Sequence, residues 1–331
     1  MLCRTSTIEH GASGVAMTTP LLIPSFSSKG FARIQENGRS EVRDIFDATN
    51  GFIKEVFLIS AYDIFYGHVP QPQEMECTPE LVVVDSGGYE VVSASDRPSS
   101  KILCSGDSPW TLERLESVYN EWPDDIPAIL VSFDHPDVRK PFLEQIADAQ
   151  MLFRARQQHL KLFLLKPEAK EHATLFRTIE SAEEKVGELG IFDIVGVTED
   201  ELGNSAVERM LQIARLRLAM DNAGVDSPLH VFGALDPLSM CLYFIAGAEV
   251  FDGLKWLRYA YKDDLRICSH SLDDGCEQLQ VLRKKNLHAL QSIQNRLIEF
   301  EATRDFDKFE PHATLLSDAY DHLKAQLQRR P

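Results

Sequence analysis

What most constrains this chain is a recurrence. Eight short apolar runs, at 20–26 (PLLIPSF), 56–61 (VFLISA), 81–84 (LVVV), 128–133 (AILVSF), 160–165 (LKLFLL), 191–197 (IFDIVGV), 229–232 (LHVF) and 250–251 (VF), alternate with stretches of helical character. Leu81, Val82, Val83 and Val84 show no polar–apolar alternation, as expected of a strand buried on both faces in a helix-covered parallel sheet. Leu112, Leu115 and Val118 form a helical stripe in 111–121 that Pro123 closes, and longer helices are predicted at 138–159, 169–189, 205–223 and 236–246. Asp236 and Pro237 open the last of these, Gly190 ends the second, 33–50 carries a short helix, and Tyr62, Asp63, Phe65 and Tyr66 fall in a loop. Eight such units are what a closed (β/α)8 TIM barrel needs. A doubly wound open sheet is the competing arrangement. The barrel is preferred because Asp85, Asp134, Lys166, Glu199 and Asp252 recur at the carboxyl ends of different runs. In a barrel those ends converge on one mouth, whereas an open sheet spreads them along an edge.

The flanking segments complete the predicted organisation. Residues 1–17 read as a mobile leader, 18–302 as the barrel domain with a C-terminal helical extension, and 303–331 as a polar tail with a weak helix at 314–327. Residues 259–274 read as charged and irregular, and 277–300 as one long helix whose Leu287, Leu290, Ile293 and Leu297 form a packing stripe. A formal net charge of −17 argues against indiscriminate binding to phosphate backbones but leaves room for a local basic groove. Six scattered cysteines and the lack of an apolar run of membrane length predict a soluble, cytoplasmic protein.

The stretch LVVVDSGGYE at 81–90 concentrates the chemistry. A carboxylate at the end of a buried strand, then Ser86, Gly87 and Gly88, would let a flat ligand approach the main chain, with Tyr89 as a stacking face. The plain alternative is that Asp85 caps the next helix. Two carboxylates at one mouth can divide labour, one as nucleophile and one as acid and base, and Asp85 and Asp252 are the candidates. The chain contains no G-x-G-x-x-G fingerprint, P-loop or H-E-x-x-H helix, which removes the common dinucleotide, nucleotide and zinc-protease readings.

These residues carry a resemblance. The order Asp85-Ser86-Gly87-Gly88-Tyr89-Glu90, then Gly233-Ala234-Leu235-Asp236-Pro237, then Phe251-Asp252, together with the early PLLIP and LISAY segments, resembles the tRNA-guanine transglycosylase superfamily over about 20–300. The resemblance implies a TIM-barrel pentosyltransferase that exchanges guanine for a 7-deazaguanine base (preQ0 or preQ1 type) in nucleic acid. It implies Asp252 as the nucleophile forming a glycosyl enzyme and Asp85 as general acid and base. Asp134 would bind the base edge and Ser86 would also contact the base; Tyr89 and Phe232 would sandwich it, and Gly233 would let it lie on backbone. Lys255 and Arg258, with Lys262 and Arg266, would form the nucleic-acid track.

Departures from the family pattern bear on substrate and metal. Glu90 stands for the usual Gln, and Lys166-Pro167 for the usual Gln-Gly, which turns a base-reading amide into a cationic donor. The chemistry requires no cofactor. The family's structural zinc ligands are rearranged: Cys268, His270, Cys276 and His288 are chemically able to hold Zn2+, and loss of the metal is the alternative, so no metal ligand is assigned. Tyr259 to Asp264 resembles archaeosine-type members rather than queuosine-type ones, yet only a short tail follows the last long helix, so tRNA and DNA are both open. A homodimer or an accessory protein is compatible with either. Two rival functions remain: a non-catalytic subunit that positions nucleic acid, and a hydrolase acting on free nucleosides. Retention of both Asp85 and Asp252 disfavours the first.

Overall fold

The computed structural model describes residues 2–29, 31, 38–88, 110–135, 138–168, 183–265, 267–269 and 276–328. Ten of the strands among them are β1 (Thr7–His10), β2 (Val15–Thr18), β3 (Leu21–Phe26), β4 (Val56–Ser60), β5 (Leu81–Asp85), β6 (Ala128–Val131), β7 (Leu160–Leu164), β8 (Ile194–Thr198), β9 (Leu229–Phe232) and β10 (Val250–Gly253). β3 to β10 close into a barrel in the order β10-β3-β4-β5-β6-β7-β8-β9, with parallel registers such as Val83↔Ile129 and Phe251↔Val231. The (β/α)8 expectation therefore holds. The runs without alternation are strands buried at almost every position, because β4, β5 and β6 expose neither face to water.

By contact density the chain divides into two compact units, one of Met1–Ile8, Ala16–Ile23 and Leu165–Pro331, the other of Glu9–Val15 and Pro24–Leu164. In the second, α1 (Glu41–Thr49) is capped by Ser40, whose hydroxyl oxygen accepts from Arg43 N at 3.2 Å. Its Phe46 packs edge-on to Phe26 and Phe57, with ring centroids 4.9 and 5.4 Å away. α2 (Ala61–Phe65) replaces the expected loop after β4 and buries Tyr62 and Asp63. α3 (Leu112–Glu121) forms where expected, and of its stripe Leu115 and Val118 are buried while Leu112 is exposed. α4 (Phe142–Phe153) starts later than the expected 138, because Pro141 excludes the preceding residue from a helix, and it also ends before the expected 159.

In the first unit, 3-10 turns at Glu183–Ile191 occupy the end of the predicted 169–189 helix, and β8 starts at Ile194 because Ile191 belongs to those turns. The remainder of that prediction lies outside the described residues. α5 (Ala206–Asn222) is capped by Ser205, and α6 (Pro237–Ala246) by Asp236, whose carboxylate accepts from Ser239 N at 3.1 Å. Two terminal expectations are corrected. The 1–17 segment is no structureless leader: β1 and β2 pair, Arg4 Nε and Thr19 Oγ1 each donate to the buried Glu249 at 2.9 Å, and Cys3, Ile8 and Met17 are buried. Burial of the Cys3 thiol pushes its pKa up to about 11.

After 303 the helix expected at 314–327 is present, but it is packed and not part of a loose polar tail. α9 (Ala313–Gln328) packs on α5 and α6 through buried Ala313, Leu316 and Leu323. Between 259 and 269 the expected irregular chain is an antiparallel pair, β11 (Tyr259–Tyr261) with β12 (Ile267–Ser269), following α7 (Lys255–Arg258). Asn286 of α8 (Cys276–Thr303), fully buried, fastens this ribbon: its carbonyl accepts from Tyr261 N at 2.9 Å, and its amide donates to Trp256 O and Tyr259 O at 2.6 Å.

Two buried histidines of the second unit, His10 and His159, lie with ring centroids 5.9 Å apart. Burial, reinforced by His10 and opposed by Asp124, pushes the His159 pKa down to about 4. The unfolded chain binds this proton near pH 6.5 and the folded chain does not, so the contribution is fully present above pH 6.5 and lost as pH falls toward 4, at about 1.4 kcal/mol per unit. Urea midpoints between pH 7 and 4.5 should fall less steeply for His159→Gln than for the parent. Identical slopes would remove His159 as the cause.

Candidate active site

In the first unit the site is built on β9 and β10. Val250 is paired with His230 and Phe251 with Val231, so alternation brings His230, Phe232 and Asp252 to a common face. Asp252 is 6% exposed. Its Oδ1 accepts from Gly233 N at 3.1 Å and faces His230 Nε2 at 3.1 Å. Nε2 is the nitrogen placed to donate to this oxygen, and Nδ1 is buried with no hydrogen-bond partner among the described residues. The imidazole stacks on Phe232, centroids 3.9 Å apart and planes at 17°. Gly233 adopts φ +80°, the left-handed region that glycine enters without strain, and this turns its N–H onto Asp252. Among the described residues no heavy atom lies within 4 Å of where a Cβ on Gly233 would stand, so none of them covers the backbone there. A buried carboxylate steadied at one oxygen, next to an aromatic ring and uncovered backbone, suits a nucleophile facing a planar ligand.

His230 carried no assignment from the sequence. The available signal was its position two residues before Phe232 on a strand, which puts both on one face. Loss of one donor to a charged acceptor removes about 1.5–3 kcal/mol, a factor of about 10 to 100. Under the transglycosylase reading that the motif order implies, His230→Phe is expected to lower kcat by that factor with KM little changed, and His230→Gln, which retains an N–H donor, to lose less. Equal rates in all three proteins would exclude this role.

Other polar groups in this unit are committed to one another. Lys166 Nζ lies 3.2 Å from Glu201 Oε2 and 3.4 Å from Thr198 Oγ1, and Thr198 in turn donates to Glu201. Glu199, counted among the rim groups from sequence, is instead held by helices: Arg209 of α5 donates to it at 2.9 Å and the Tyr243 hydroxyl of α6 at 2.8 Å. Burial, followed by the Glu199 charge, raises the Tyr243 phenol well above its usual range, so it remains a donor. Lys255 Nζ lies 4.0 Å from Asp236 Oδ2, and Arg258 is exposed. Arg266 lies outside the described residues, as does Tyr89.

In the second unit the site is the turn after β5. Gly87 N donates to Asp85 Oδ2 at 3.3 Å, and the buried Ser86 hydroxyl donates to Asp134 Oδ1 at 3.1 Å. Trp110 Nε1 donates to Ser86 O at 2.8 Å. The glycines clear space for the protein's own groups. A Cβ on Gly87, at φ +70°, would lie 2.8 Å from Trp110 Nε1, and one on Gly88 would overlap both the carboxylate and the backbone oxygen of Asp134. Behind them the buried Tyr119 hydroxyl ties β5 to β6, lying 3.0 Å from Val84 O and 2.7 Å from Val131 O. Burial first, then the Asp85 charge, raises its pKa well above the ordinary phenol value.

Of the rearranged zinc set, Cys268 and His288 are exposed, while His270 and the Cys276 side chain lie outside the described residues. Among the described residues no three His, Cys, Asp or Glu side chains are grouped to hold a metal, and no helix is long and apolar enough to cross a membrane. No protein-family model and no curated protein matches the chain.

Proposed function

We propose that this chain is a base-exchanging transglycosylase acting on nucleic acid, of the kind that its motif order resembles. The observation that carries the reading is the Asp252 setting: a buried carboxylate, fixed at Oδ1 by Gly233 N and His230, beside the Phe232 ring and open backbone. In this reading Asp252 attacks the anomeric carbon through Oδ2, the oxygen those two donors do not hold. The glycosidic C–N bond breaks, guanine leaves with a proton from Asp85, and a glycosyl ester remains. Asp85 then takes the N–H proton of the incoming 7-deazaguanine as its nitrogen attacks the same carbon and the ester bond breaks.

Asp85 enters through the general rule that a (β/α)8 barrel delivers groups from several strand ends to one rim. Asp134, oriented by Ser86, is suited to accept from the amino and ring N–H groups of a guanine-type base. Phe232 with Tyr89 would stack that base, Lys166 would reach its oxygen on leaving Glu201, and Lys255 and Arg258 would meet backbone phosphate. Nothing in this sequence of steps calls on a metal or an organic cofactor.

The test is incorporation. The protein is incubated with labelled guanine, preQ0 or preQ1 and either tRNA or duplex DNA, and label entering the polymer is the expected result. Release of free base without incorporation would replace exchange by hydrolysis, and binding without turnover would replace the enzyme by a positioning subunit. Which polymer takes the label identifies the substrate.

A further inference from the structure

An aromatic cluster in the second unit has no role in the chemistry above. α2 carries Phe65 on its last turn with Tyr66 beside it, and α3 carries Arg114. The Arg114 guanidinium carbon lies 5.3 Å from the Phe65 ring centroid and 5.8 Å from that of Tyr66, whose hydroxyl also bonds Arg114. Trp110, buried, meets Phe65 edge-on at 5.7 Å and Tyr62 at 5.7 Å, so the rings are mutually braced. Phe65 nevertheless remains 41% exposed. It also forms one wall of an open cleft of about 170 Å3 with Pro72, Val118 and Trp122, where Gln71, Ser117 and the carboxylate-bearing Glu121 supply polar atoms.

Exposure alone is common among the apolar side chains here, Phe52 and Met151 being more exposed than Phe65, so it is the partners of Phe65 that set it apart. This ring is rigidly supported, left in solvent, and partnered by a guanidinium. Planar π-faces with an adjacent cation are what unpaired nucleobases stack on, because every base offers a face and each base brings a phosphate that a cation favours. The location agrees: Trp110 is hydrogen-bonded to Ser86 O, so the cluster adjoins the turn that carries Asp85. Taking a target base out of its stack leaves its neighbours unstacked, and a platform beside the turn would receive one of them.

We propose that Phe65, with Arg114, is a stacking platform for an unpaired nucleobase flanking the target nucleotide. The proposal rests on the nucleic-acid reading above and adds a second base site to it.

The test is equilibrium binding of fluorescently labelled single-stranded oligonucleotides to the full chain, which needs no turnover. Phe65→Leu, which retains apolar bulk without a π-face, should weaken binding about tenfold or more, and Phe65→Trp should retain parental affinity. An abasic residue moved along the oligonucleotide should weaken parental binding at one flanking position, and at that position Phe65→Leu should cost nothing further. Unchanged urea midpoints establish that the variants fold. Parental affinity in Phe65→Leu, or equal loss at every abasic position, would overturn the platform while leaving exchange untouched. A protein that stacks oligonucleotides through Phe65 but incorporates no label would instead overturn the transglycosylase reading alone.

Discussion

Asp252→Asn is expected to reduce base exchange by about 10^4-fold or more and to abolish any covalent protein–nucleic acid adduct, while unfolding at nearly the parental urea concentration. Asn matches Asp in shape, and its carbonyl oxygen can still accept from Gly233 N and His230 Nε2, the two groups that hold Oδ1. Those two donors therefore keep their acceptor. What is lost is the anionic oxygen able to form an ester with the sugar. An amide oxygen is too weak a nucleophile to replace it, so a deficit of this size is a statement about bond formation and not about folding. The adduct is read as a slower band on a denaturing gel after quenching with labelled substrate. A substitution that leaves exchange within tenfold of the parent would remove Asp252 as nucleophile, and the reaction proposed above with it.

The second large effect concerns the turn after β5. Gly88→Ala places a methyl group into the carboxylate and the backbone oxygen of Asp134. A clash with a side-chain tip alone is relieved by a rotamer change, but the backbone oxygen cannot move without shifting the segment after β6. Overpacking of this kind costs about 1–3 kcal/mol or more, and displacing Asp134 also breaks its bond from Ser86. A lowered urea midpoint together with loss of discrimination between guanine and other bases is the expected outcome. Gly11→Ala, where no heavy atom lies within 4 Å of the added methyl, serves as control and should change stability by no more than about 0.5 kcal/mol. Parental stability and base selectivity in Gly88→Ala would mean that Asp134 is not held where the turn requires it.

The two substitutions differ in how visible their targets were beforehand. Asp252 stands out in the sequence because a very short apolar run stops on it. Gly88 was noticed for the room that two successive glycines could leave a ligand, and what the structure adds is that Trp110 and Asp134 stand where their Cβ atoms would be. A glycine announces close approach without naming what approaches, since the approaching group lies far along the chain. Glu199 shows the same limit. Its position after β8 suggested a rim group, but Arg209 and Tyr243, on helices that follow, take its carboxylate. Helix existence was legible from spacing and caps, as at Ser205 and Asp236, because those are contacts within four residues. The terminal segments were misjudged because their apolar positions are few and sparse, and only the surfaces they cover reveal that they are buried.

By itself the sequence determined the barrel: eight unalternating apolar runs separated by helix-length segments have few ways to bury both faces, and a closed parallel sheet is the one the structure adopts. It also determined which residues stand at strand ends, since a strand is a local pattern. Only the tertiary structure decided partnerships. His230 and Asp252 are 22 residues apart, Ser86 and Asp134 48, and Asn286 and Tyr261 25. Such pairs are set by strand register and by which helix lands beside which loop. A hydrogen bond depends on tenths of an ångström between groups that local propensity never compares.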